Sequence, residues 1–283
     1  MLNTYSVVPL NVSSVAPRVE AVFGCQDITK VVEDFDWSKL STREKTADSH
    51  VHCDLAPSFG KLNQESVKDL DDKLKVIIAG TTRAIEKLPS DQRSWDNVTS
   101  TIAQNSLLQP LDHGIDRSDK LIKDGVNFFK VNGSPDPTIV KEVQAWFTSL
   151  ISDEDVLASI KIDFDVLTKI VFWTGAIIDS FETFFGNSEY HERTLVDIGV
   201  LRYPDIDQPY FKLYRIKLTA WSDCTRVLFV QSDKNGITGQ YNVRRYGPRE
   251  SVMRQLKGET VKKAVQAAED LFLLETAGTL KKL

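Results

Sequence analysis

Apolar residues recur at helical spacing through the middle of this chain and at alternate positions near its end. Residues 66–88 place Val67, Leu70, Leu74, Ile77, Ile78 and Ile85 on one face of a predicted helix. Ser90 is expected to cap a second helix that carries Trp95, Val98, Ile102 and Leu108. Asp116 or Ser118 would start a third, with Leu121, Ile122, Val126 and Phe129 inward, ending at Gly133. The clearest start is Asp136-Pro137, where a carboxylate can accept from free amides and proline supplies a preset φ with no amide of its own. That helix would bury Val140, Val143, Trp146, Phe147 and Leu150. Ser152 followed by three acidic residues marks another start, favoured by the helix dipole. From Val156 to Phe185 the chain is apolar around most of its circumference, the pattern of a central, covered helix ended by Gly186-Asn187.

After residue 190 the period changes from 3.6 to 2. Residues 195–203, 210–221, 225–231 and 237–245 are predicted strands, and Asn235-Gly236 predicts a tight hairpin between the last two. Pro248 would open a short helix, and residues 260–276 a final one. At the other end, residues 4–10 and 20–23 have strand-like composition, residues 26–35 could form a helix, and residues 37–61, polar and interrupted by Pro57 and Gly60, are expected to be loop. Helices and strands are segregated along the chain, so the expected class is α+β, with helices packed over an antiparallel β-meander in the C-terminal third. One domain over residues 1–283 is expected, with a helical part (60–187) and a sheet part (190–247) as the alternative division.

Composition narrows the class without naming a function. At 283 residues, 41% hydrophobic and 27% charged, the chain can bury a sizeable core without disulfide or metal staples. Its net charge of −5 gives no overall attraction to nucleic acid, and no nucleic-acid partner is expected. The charge is uneven, however: from residue 205 onward there are 14 Lys/Arg against 9 Asp/Glu, so this last part is positive on an otherwise acidic protein. Three widely spaced cysteines (Cys25, Cys53 and Cys224) form neither a disulfide framework nor a zinc-ribbon pattern, and fit reduced thiols in the cytosol. The first 24 residues lack a basic start followed by an apolar stretch, so localisation is expected to be cytoplasmic, or export without a classical signal peptide. The most apolar window, residues 170–178, is too short for a transmembrane span, which needs about 20 residues.

Candidate chemistry is sparse. His50 and His52 form a His-x-His pair that would put two imidazoles on one side of an extended strand, a geometry suited to one divalent metal. The segment Asp48-Ser49-His50-Val51-His52-Cys53-Asp54 resembles the first metal-binding segment of amidohydrolase-type enzymes. That resemblance implies a metal-dependent hydrolase. In that family the motif ends an apolar strand opening a β/α barrel, whereas here it follows the polar run Ser41-Thr42-Arg43-Glu44-Lys45-Thr46-Ala47, and His113 and His191 come too early for the family's later ligands. Cys224, between Asp223 and Thr225, is a candidate modified or reactive thiol. Arg244, Arg245 and Arg249, beside Tyr241, Tyr246 and the helix start at Pro248, form the candidate anion- or lipid-binding group. No phosphate-binding loop, dinucleotide glycine motif, nucleophile elbow or HExxH is present, and no cofactor is expected.

These patterns favour a non-enzymatic binding protein acting at an anionic membrane surface or on a protein partner, with a leaderless effector or toxin-like protein as one form of it. The alternatives are a metal-dependent hydrolase using His50 and His52, and a carrier with an apolar pocket between helices and sheet.

Overall fold

The computed structural model describes residues 41–62, 64–124, 130–131, 134–174, 187–227 and 230–254, and positions 258–259, 262–263 and 265–266. The strand-like pieces expected before residue 24, the helix expected at 26–35, Cys25, the second half of the apolar stretch and most of the final helix lie outside the described residues.

Helices and one large sheet make up the molecule, and the sheet is mixed. Its strands are β1 (Ser41–Leu55), β2 (Leu108–Pro110), β3 (Ile115–Asp124), β6 (Asn187–Tyr203), β7 (Tyr210–Val227) and β8 (Val230–Pro248), in the order β1-β6-β7-β8-β2, with β3 also beside β8. β6, β7 and β8 are antiparallel neighbours, but β1 runs parallel to β6, with all the described helices except the last in the connection between them. β2 and β3 follow one another along the far edge of β8. A two-residue ribbon, β4 (Lys130–Val131) with β5 (Ser134–Pro135), stands apart.

Three expectations about strands and turns need correction. Residues 41–55 are a strand, not a loop. Their outer half is exposed at the sheet edge, so they carry the polar and charged side chains that edge strands tolerate. Residues 115–124 are the edge strand β3, not a helix; the charged alternation of Asp116, Arg117, Asp119 and Lys120 belongs to an exposed edge. Asn235-Gly236 is not a turn. The ladder runs straight through it, pairing Trp221 with Gly236, and the predicted four short strands are three long ones, β6, β7 and β8. Gly236 is used for packing, because a Cβ there would lie 2.7 Å from Cζ2 of Trp221.

Helices cover both faces. On one face lie α3 (Pro137–Ile151), α4 (Glu154–Ser159) and α5 (Phe164–Trp173). Val140, Val143, Phe147, Leu150, Val156, Leu167, Ile170 and Val171 pack there against Leu195, Tyr214, Ile216, Leu218, Ile237 and Tyr241. α3 starts as its sequence predicts: Asp136 accepts from the Thr138 amide at 2.7 Å, with Pro137 at the first helical position. The apolar stretch after Ser152 is broken rather than continuous, because Ile160 is extended and Asp163 caps a new helix by accepting from the Val166 amide at 2.8 Å.

On the other face, α1 (Glu65–Glu86) and α2 (Trp95–Ala103) bury Leu74, Ile77, Ile78, Ile85, Val98 and Ile102 against Cys53, Val196, Ile198, Val200, Phe211 and Leu213. Ser94, not Ser90, caps α2. α6 (Glu250–Met253) is a single turn. The two faces alternate strictly along each strand, so one cluster takes odd positions of β6 and the other even ones. One ion pair ties α1 to the sheet. Asp71 is fully buried, and Arg202 of β6 donates its Nε–H to it at 2.7 Å while Lys75 lies 3.3 Å away.

Removing Asp71 would take the buried carboxylate away from both Arg202 and Lys75. Asp71→Ala is therefore expected to cost about 3–5 kcal/mol in urea denaturation. A loss below about 1 kcal/mol would show that this pair does not hold α1 to the sheet.

Candidate functional site

The His-x-His pair sits on β1, and its two histidines have different surroundings. His50 is exposed, with Nε2 3.6 Å from Asp48. His52 is buried and enclosed by acceptors. Its Nδ1 donates to Asp54 at 3.1 Å, and its Nε2 lies 3.2 and 3.4 Å from the two oxygens of Asp197. The Tyr214 hydroxyl lies 3.2 Å from the same Nε2. Asp197 is fully buried and also accepts from the Lys161 amide at 3.3 Å.

This constellation depends on a missing side chain. His52 on β1, Gly199 on β6 and Tyr214 on β7 occupy one transverse row of the sheet. A Cβ at Gly199 would lie 2.2 Å from the Tyr214 ring, so only glycine lets that ring cross β6 and reach His52. Burial works against the imidazolium, but the hydrogen bonds and charges of Asp197 and Asp54 outweigh it and raise His52 to about 9. Burial likewise opposes the charge on Asp54, yet His52 holds its carboxyl below the usual range. A histidine protonated on both nitrogens has no lone pair for a metal, so these distances describe a buried ion pair joining three strands. Among the described residues, no group of three or more His, Cys, Asp or Glu could hold a metal ion.

The three candidate arginines do not converge. Arg244 and Arg245 are adjacent on β8 and point to opposite faces. Arg244 forms a two-nitrogen contact with Asp116, at 2.7 and 3.3 Å, and lies over the Trp95 ring. Arg245 pairs with Asp112. Arg249 lies at the start of α6, where its backbone amide donates to Leu107 at 2.7 Å. Cys224 lies on β7 in register with Glu189 and Asp233, and its side chain is outside the described residues.

The structure shows a different concave site. α1 and α2 cover only one end of their sheet face. Beyond them the same face forms a groove of about 290 Å³ whose floor is built from facing residues of β7 and β8. Lys217 stands opposite Gln240, Thr219 opposite Thr238, and Trp221 opposite Gly236, with Tyr190 and Glu192 of β6 along the side. The lining is polar, unlike the apolar pocket expected for a carrier. Glu192 accepts from the Tyr190 hydroxyl at 2.7 Å and from Lys45 at 3.3 Å. The Tyr190 bond, against some burial, holds the Glu192 carboxyl below its usual range, and burial together with Glu192 pushes Tyr190 up to about 12. Two residues before Lys217 on β7, the same face carries Arg215. It is 6% exposed, donates to Gln240 at 3.3 Å and Asn242 at 3.2 Å, and its Nε has no partner among the described residues. The sequence held a signal for this surface: the polar alternation of Arg215, Lys217, Thr219 and Trp221 within an apolar strand.

No protein-family model matches this chain, and no curated protein matches it. Among solved structures it aligns with the structure of the Evf virulence factor at 14% identity, over 83% of this chain and 82% of that one, with a TM-score of 0.23. A superposition at that score does not define a shared fold.

His52 makes a pH-dependent contribution with a definite sign. The His52 pKa is raised on folding, so its stabilisation is complete below about pH 6.5 and is lost as pH rises through about 9. Urea midpoints should therefore fall between these values, with a slope from this group of at most about 1.4 kcal/mol per pH unit. His52→Gln should be less stable at pH 6 and show a flatter profile. Parallel profiles for the two proteins would rule out a charged His52.

Proposed function

We propose that this chain is a non-enzymatic binding protein that acts at an anionic membrane surface, with the open half of the sheet as its recognition face. The observation that carries this reading is the groove around Lys217. Lys217 makes no hydrogen bond or ion pair with a described residue, although Glu192 feels its charge. Arg215 beneath it is buried with amide partners rather than a carboxylate. A cation that forms no direct ion pair among the described residues, though the Glu192 charge is near it, can be completed at the mouth of an open groove by an anionic ligand. His52, Arg244 and Arg245, by contrast, each pair directly with a carboxylate of the protein. An effector or toxin-like protein that works on the surface of another cell is one member of this class. No helix among the described residues is long and apolar enough to cross a membrane, and the reading requires only surface attachment.

Co-sedimentation with phosphatidylserine vesicles tests it. Binding is expected at low salt and should weaken as salt screens the attraction. Each basic residue near an anionic surface is worth about 1 kcal/mol, so Lys217→Glu should reduce binding by about tenfold or more. Protein that stays in the supernatant at low salt would exclude the membrane reading and leave a protein partner as the target.

A further inference from the structure

The groove has the chemistry of a sugar-binding site more than that of a simple phosphate site. We infer that it binds a pyranose bearing a carboxylate, as in a uronic or sialic acid, carried on a free oligosaccharide or on a glycolipid headgroup. This rests on the binding-protein reading above and specifies its ligand.

Three features of the groove point to that ligand. The first is a flat apolar wall. Trp221 lies across Gly236, where a Cβ would sit 2.7 Å from Cζ2 and 2.9 Å from Cε2, so glycine allows the indole to lie down on the sheet at the groove's end. A pyranose ring has a C–H face that packs on such a surface while its hydroxyls point sideways. The second is the floor. Thr219, Thr238 and Gln240 present hydroxyl and amide groups that can donate as well as accept, which suits hydroxyls with the same dual capacity. A lipid tail would satisfy neither the Thr238 hydroxyl nor the Gln240 amide N–H groups, while the Thr219 hydroxyl already lies 3.1 Å from that of Thr194 and Gln240 Oε1 accepts from Arg215. The third is the charge pattern. Lys217, backed by Arg215 through Gln240, offers a place for one negative charge. Glu192 shares the groove, with Tyr190 and Lys45 favouring its ionised form. It would repel a phosphate monoester of about −1.5 to −2 charge, yet it can accept hydrogen bonds from sugar hydroxyls. A ligand with one carboxylate and several hydroxyls satisfies both ends. The volume of about 290 Å³ lies at the small end of ligand pockets, roughly 300–1,000 Å³, and suits a terminal sugar unit better than a long embedded chain.

The test is saturation-transfer NMR on the full chain with 3′-sialyllactose, a hyaluronan tetrasaccharide and lactose. Transfer to the ring protons of at least one acidic sugar is expected, with lactose about tenfold weaker or silent. Trp221→Ala should abolish transfer, Trp221→Phe should retain most of it, and Lys217→Gln should weaken the acidic sugar about tenfold while leaving lactose unchanged. Thermal melts check that the variants fold; should Trp221→Ala fail, Lys217→Gln carries the test. No transfer to any of the three sugars, equal transfer to lactose and the acidic sugars, or full binding by Lys217→Gln would each overturn the inference. Vesicles separate the two sources: tighter binding to ganglioside vesicles than to free sialyllactose favours a headgroup, and equal affinity a free glycan. Binding to phosphatidylserine vesicles with no response to any sugar would overturn the sugar assignment and leave the membrane reading standing.

Discussion

The arrangement of the sheet depends on how a buried charge is held between strands. His52 carries a proton in the interior because Asp54 and Asp197 accept from its two nitrogens, and the Tyr214 hydroxyl reaches it only across Gly199. A buried ion pair is rarely a large net source of stability, because desolvation opposes the attraction. Its larger effect is on register. Shifting β1 by one residue along β6 would turn His52 to the opposite face, away from both Tyr214 and Asp197, and bring Val51 or Cys53 under the wrong helices. The polar outer half of β1 offers little apolar patterning to fix its place. The pairing of a mostly polar strand therefore relies on this row and on Val51 and Cys53 packing under α1 and α2.

That constraint helps to explain how one sheet carries two kinds of surface. At the end where β1 is tied down, α1 and α2 pack on Val196, Ile198, Val200, Phe211 and Leu213. Toward the other end of the same face, the side chains become Glu192, Lys217, Thr219, Trp221, Thr238 and Gln240. Arg215 and Asn242 lie at the boundary. Asn242 links Arg215 to Asp116, which in turn holds Arg244 over Trp95 at the start of α2. The rim of the helical layer and the groove thus share one polar network.

The helices were more legible in the sequence than the strands. α1 and α3 bury a face that repeats at helical spacing, and Asp136-Pro137 announces the start of α3 because capping is local chemistry. The edge strands β1 and β3 were missed for the same physical reason in each case. Most of their side chains meet solvent, so neither shows apolar alternation, and their pairing is set by partners far along the chain. Asn235-Gly236 misled for a different reason. The dipeptide permits a turn but does not require one, and here glycine is selected by the indole lying on it.

The candidate site was hidden by the same principle. On β7 alone, Lys217, Thr219 and Trp221 resemble an ordinary solvent face, and Thr238 and Gln240 on β8 are equally unremarkable. They become a site only when the register sets Lys217 beside Gln240 and Trp221 beside Gly236, and when the helical layer stops short of them. The sequence did show arginines near residue 245, because clustered charge is visible without a fold. Strand alternation then sent Arg244 and Arg245 to opposite faces, where Asp116 and Asp112 meet them. Proximity in sequence along a strand favours divergence at neighbouring positions, whereas convergence comes from alternate positions on strands brought into register. The positive last part of the chain includes Lys217, which forms no ion pair with a described residue, and the buried Arg215 two residues away, and alternation places both on the open face.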